Sequence, residues 1–124
     1  MENLIAPLTK IGRYLLALPM AVFGLLHFMG AEQMAGMVPV PGGVIWVYVT
    51  GIALVAAGVA IILQKKARLA AALLAILVLI FVLTIHLPAV LAGGDGGQMA
   101  MAGLLKDLAI AGGALVYAGT QPAE

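Results

Sequence analysis

Six side chains carry the chemistry this sequence can offer. His27, His86, Lys106 and Asp107 are ionisable groups set in otherwise apolar stretches, Glu32 stands just beyond the first stretch, and Trp46 opens the second. Imidazole both donates and accepts hydrogen bonds near neutral pH and can relay a proton. An ammonium stabilises developing negative charge, and a carboxylate can orient an imidazole. Neighbouring helix positions point about 100° apart, so Lys106 and Asp107 are expected to face different partners. Lys106 is assigned to Glu32 or to outer water, and Asp107 accepts a hydrogen bond from His27 or His86.

Composition sets the medium in which these groups act. Of 124 residues, 65% are hydrophobic and only 9% are charged, against about a quarter charged in soluble domains. The chain therefore reads as a membrane protein, and it has no polar stretch long enough for a second core, so residues 1–124 form a single all-α domain. Cysteine is absent, which excludes disulfides, thiolate metal sites and thiol redox chemistry. A net charge of +1 with one short basic loop leaves no footprint for nucleic acid.

Four windows of about 18 to 20 residues read as transmembrane helices: 11–29, 44–63, 69–87 and 103–120. The first begins with basic residues and ends near Gly30 and Ala31, as a secretory signal does, but its apolar run exceeds a signal core and it is kept as a span. Lys65, Lys66 and Arg68 lie between the second and third windows, and Lys10 and Arg13 open the first. Cytoplasmic loops are enriched in Lys and Arg, so both termini are expected in the cytoplasm. Trp46 and Tyr48 then mark the outer boundary, and Tyr14 and Tyr117 the inner one. Gly51 and Gly58, and Gly112, Gly113 and Gly119, are expected as close-packing surfaces. Pro19 should bend the first span. The 93–97 segment GGDGG is expected to be a flexible connector, and 31–43 an ordered loop.

At about 1.5 Å per residue, His27 lies roughly 21 Å above Arg13 and His86 roughly 27 Å above Arg68. Lys106 and Asp107 enter at a similar height on the descending fourth span. A charge at such depth costs up to about 2.5 to 3.5 kcal/mol unless paired or wet, so the four groups are expected to converge on a small polar cavity in the outer leaflet. Each has a plainer counterpart. A membrane histidine can be a helix-to-helix hydrogen bonder, Lys106 a snorkelling lysine, Glu32 a solvated loop residue, and Trp46 an interface anchor.

Two metal chemistries stay open beside a small apolar ligand. Met29, Met34, Met37, Met99 and Met101 map to the same side as the histidines, and soft thioethers with imidazole suit copper(I). His27 and His86 together could also ligate haem.

Several segments resemble the DoxX-like family of small four-helix bacterial membrane proteins: Gly12-Arg13, Phe23-Gly24-x-x-His27, the TGIALVAAG run ending at Gly58, the 65–88 run KKARLAAALLAILVLIFVLTIHLP, and 106–115 KDLAIAGGAL. The resemblance covers about Gly12 to Gly119. It implies a small bacterial inner-membrane subunit of a quinone-linked redox assembly, such as that of thiosulfate:quinone oxidoreductase, accessory rather than a stand-alone enzyme. Its outer-leaflet pocket is expected to bind a small apolar ligand such as a quinone. Many of those relatives carry Lys at the position of His27 and Asn at that of Asp107, so a chemistry built on these two side chains would be this chain's own. The partners expected are the bilayer, redox subunits or further copies of the chain. The rival reading is a non-catalytic structural or assembly subunit, with a transporter behind it.

Overall fold

The computed structural model describes residues 1–36 and 42–123, and all of its secondary structure is helical. A short helix α1 (Glu2–Lys10) leads through Ile11 into α2 (Gly12–Met29), and α3 (Ala31–Ala35) follows. Next come α4 (Gly43–Leu63) and α5 (Ala67–Phe81), a π-helical turn Val82–His86, α6 (Leu87–Ala92), a 3₁₀ turn Gly94–Gly96 and α7 (Gly97–Thr120). Four helical segments, Glu2–Met29, Gly43–Leu63, Ala67–Ala92 and Gly94–Thr120, are long and apolar enough to cross a membrane.

These segments extend the sequence-based windows at several ends. The third runs to Ala92, through Pro88, which sits in the first turn of α6 where its missing N–H is tolerated. The 93–97 connector contains a defined turn. Gly93 and Gly94 take positive φ (67° and 73°), and the 3₁₀ turn then feeds directly into α7. Pro19 lies within a continuous α2. Of the loop expected over 31–43, residues 31–35 are helical and 37–41 lie outside the described residues.

Lipid offers no hydrophobic drive for helix association, so close backbone approach must hold the bundle together. In α2 and α4 it does. A Cβ on Gly24 would lie 2.7 Å from the Gly51 carbonyl oxygen, one on Gly51 would lie 2.9 Å from the Gly24 carbonyl oxygen, and one on Gly58 would lie 2.9 Å from the Ala17 carbonyl oxygen. The two helices are therefore antiparallel, with the end of α4 beside the start of α2. The second pair, α5 and α7, meets through Ala71, Leu74, Ala75 and Val78 on one side and Ala111, Ala114 and Ala118 on the other. A Cβ on Gly112, Gly113 or Gly119 would meet no neighbouring element within 4 Å, contrary to the packing role expected of these glycines. The reason is rotational: the alanines at 111, 114 and 118 occupy the inward face and leave the glycines turned away.

The connection from α4 to α5 is tight. Gln64 (φ 55°) and Lys66 (φ 53°) both adopt the left-handed conformation, and the Arg68 guanidinium donates to the Gln121 carbonyl oxygen at 3.4 Å, tying this loop to the end of α7. The basic loop, the start of α2 and the end of α7 thus share one end of the bundle.

Candidate functional site

Helices α2 and α7 make little contact anywhere along their length, and toward the opposite end side chains of all four spans face a common space. A cavity of about 600 Å³ opens between them. Its walls are mainly apolar, with Phe23, Leu54, Val78, Phe81 and Ile110 among them, and polar atoms enter from His27, Thr50, Thr84, His86, Lys106 and Asp107. Trp46 also lines it.

Asp107 is the one charged side chain in the buried set among the described residues, at 8% exposure. Desolvating a carboxylate is costly unless it is paired and hydrogen-bonded, and Asp107 has both forms of relief. His86 Nε2 donates to its Oδ2 at 2.8 Å, and Lys106 Nζ stands 3.8 Å from Oδ1. A neutral His86 bonded in this way carries its proton on Nε2 and keeps Nδ1 as an acceptor.

His86 reaches Asp107 from the π-helical turn. Such turns insert a residue into the helix, re-aim the side chains beyond it, and recur at functional sites. Thr84, within the turn, donates its hydroxyl to the Ile80 carbonyl oxygen at 2.7 Å. The imidazole rests on Gly103: a Cβ there would lie 3.1 Å from His86 Cε1 and 3.2 Å from Nδ1. Gly103 stands one turn before Asp107 on the same face of α7, so helical spacing from Asp107 was the signal for it in the sequence.

His27 uses its other nitrogen. Nδ1 donates to the Phe23 carbonyl oxygen, one turn back on α2, at 2.6 Å. A neutral ring bonded in this way offers Nε2 as an acceptor, the reverse of a neutral His86. Each ring has one nitrogen held by the protein and the other left to meet a ligand.

Lys106 is more than half exposed, in keeping with the expected approach to outer water, but it also meets the carboxylate that neighbouring helix positions were expected to keep apart from it. It pairs with Asp107, its chain neighbour, and lies 5.7 Å from the centroid of the Phe23 ring, within cation–π range. Its long stem curls back where a shorter side chain at the same position would diverge. Glu32 stands apart, exposed, in a separate depression with Phe28, Met29, Gly30, Gln33 and Tyr48. The methionines do not gather either. Met34 lines the main cavity, Met29 and Met99 are 83% and 80% exposed, Met101 is exposed, and Met37 lies outside the described residues. Among the described residues no group of three or more His, Cys, Asp or Glu side chains could hold a metal ion.

The arrangement suits the holding of a mostly apolar molecule whose polar end meets an ammonium donor from Lys106 and an imidazole acceptor from His27, beside an imidazole–carboxylate pair. A family model described as a domain of unknown function (DUF8561) matches residues 16–112, and the chain belongs to that family. The matched region includes His27, Trp46, His86, Lys106 and Asp107. No curated protein and no solved structure matches the chain.

Proposed function

We propose that this DUF8561 member is a multi-pass protein of the bacterial inner membrane with both termini in the cytoplasm, and that its cavity binds a small, largely apolar ligand of the quinone class. It acts there as an accessory membrane subunit of a redox assembly. The orientation follows from charge: Lys10, Arg13, Lys65, Lys66 and Arg68, five of the six Lys and Arg residues, lie at one end of the bundle. Positive residues stay inside, which turns the cavity toward the outer leaflet.

The observation that carries the reading is the 2.8 Å bond between His86 and Asp107 at the wall of an apolar cavity. Ligand sites for small molecules are typically about 300 to 1,000 Å³, apolar, and furnished with a few placed polar groups, and bundles build such sites between facing helices. A carbonyl oxygen of a quinone would accept from Lys106, and a hydroxyl of its reduced form would donate to His27 Nε2. Asp107 holds the His86 tautomer. The resemblance to DoxX-like proteins supplies the redox setting.

Protein purified in mild detergent and extracted with organic solvent should yield a co-purifying quinone, and Lys106→Met and Asp107→Leu should reduce its amount. Absence of any extractable quinone, together with unchanged thermal stability when a soluble quinone analogue is added, would remove this reading. The same preparation tests the alternatives: a Soret band would indicate haem, and stoichiometric copper a thioether site. The mutual pairing of His86, Asp107 and Lys106 also favours a second reading, a structural subunit in which these groups only satisfy one another. An empty, ligand-indifferent preparation would support it.

A further inference from the structure

Helix α1 has no buried residue, and Met1, Leu4, Ile5, Leu8 and Ile11 are exposed by 89, 68, 44, 63 and 47%. Their spacing places them on one stripe, with Glu2, Thr9 and Lys10 elsewhere around the helix. The 18 residues of α2 rise about 27 Å, close to the hydrocarbon thickness of about 30 Å. A collinear α1 would carry its apolar stripe about a further 14 Å into water. Regular helix also gives way to a turn at Ile11, between the two helices. An amphipathic helix at that position is most stable lying in the interface, with its stripe toward the acyl chains.

Charge identifies the surface on which it lies. Lys10, Arg13, Lys65, Lys66 and Arg68 share this end with one described carboxylate, Glu2, whereas the cavity end holds Lys106 with Glu32, Asp95 and Asp107. Arg13 and Arg68 are partly occupied, by the Tyr14 hydroxyl and the Gln121 carbonyl oxygen. Lys10, Lys65 and Lys66 are exposed. We propose that α1 lies in the plane of the bilayer surface and forms, with Lys10, Lys65 and Lys66, a docking surface for anionic lipid headgroups. This rests on the membrane reading above.

The absence of cysteine makes the test direct. Single cysteines at positions 2 to 11 of the full chain, spin-labelled in phosphatidylglycerol nanodiscs, should show oxygen accessibility with a period of about 3.6 residues, high at Leu4→Cys, Leu8→Cys and Ile11→Cys. In phosphatidylcholine nanodiscs the same labels should move toward water. Lys65→Gln with Lys66→Gln should weaken the preference for phosphatidylglycerol by about 25-fold, at about fivefold per charge. A non-periodic, water-exposed pattern, equal immersion in both lipids, or an unchanged preference in the double variant would each overturn the proposal. A Val116→Cys label on α7 separates the two failures: if it reads as aqueous, the span assignment itself is wrong and this surface falls with it, and if it reads as lipid-exposed, only the α1 surface is at stake.

Discussion

His86 and Asp107, 21 residues apart in the chain, meet through Nε2 and Oδ2 at 2.8 Å, and the contact joins α7 to the end of the third span. Hydrogen bonds between membrane helices contribute about 0.6 kcal/mol on average and at most about 1.7. A double-mutant cycle of His86→Leu and Asp107→Leu, read by unfolding in mixed micelles, should return a coupling of about 0.5 to 1.7 kcal/mol. Asp107→Asn keeps an acceptor for the imidazole N–H and should be milder than Asp107→Leu, which strands His86 at a cost of about 1 to 3 kcal/mol. Coupling indistinguishable from zero would mean that the bond does not act as a link between the helices.

Gly103 should behave as part of the same contact although it has no polar group. Its Cβ would sit 3.1 Å from the imidazole, so Gly103→Ala must shift His86 by a few tenths of an ångström and Gly103→Val by more. The loss of one well-formed hydrogen bond corresponds to about a two- to tenfold change in an equilibrium. Binding of a quinone analogue should weaken by that factor in Gly103→Ala, and Gly103→Val should add nothing to His86→Leu. Full additivity of the last pair would show that Gly103 acts elsewhere.

How far the site could be read in the sequence depends on the physical quantity behind each inference. The height of His27, His86, Lys106 and Asp107 came from the rise per residue, because it needs only a helix and a starting point. Which histidine meets Asp107 depends on rotation about the helix axis, and the π-helical turn at Val82–His86 changes that rotation without leaving a clear mark in an apolar run. Pro88, two residues after His86, was the nearest hint. The curl of Lys106 onto Asp107 depends on side-chain torsions, and the separation of Glu32 depends on the short helix Ala31–Ala35, which an apolar-window reading does not resolve.

The same limit explains the glycines, and they give a paired prediction. Small residues crowd both the second and the fourth span, and composition does not say which face turns inward. Gly24→Ala would press a methyl to within 2.7 Å of the Gly51 carbonyl oxygen and 2.9 Å of the Val55 nitrogen, both backbone atoms that cannot move aside cheaply. It should destabilise the bundle by about 1 to 3 kcal/mol. Gly112→Ala meets nothing within 4 Å and should be neutral or stabilise by up to about 1 kcal/mol through helix propensity. Equal effects in a thermal-denaturation comparison would contradict the assigned faces.

The loop after α4 offers the opposite use of glycine. Gln64 ends α4 with φ 55°, a left-handed conformation that costs a non-glycine residue roughly 1 to 2 kcal/mol. Its side chain offsets little of this, since its amide reaches the Gln121 oxygen only at 3.5 Å. The loop nevertheless keeps this geometry because the Lys65 N–H must close onto the Ala60 carbonyl oxygen at 3.0 Å, the capping bond that terminates the helix. Gln64→Gly removes the steric cost while retaining that bond, at the expense of greater freedom in the unfolded chain. The net gain should be about 0.5 to 1 kcal/mol, seen as a higher midpoint of thermal unfolding in detergent. Gln64→Val, branched at Cβ, should shift the midpoint the other way, and a reversed order of the two variants would show that the left-handed cap is not what shapes this turn.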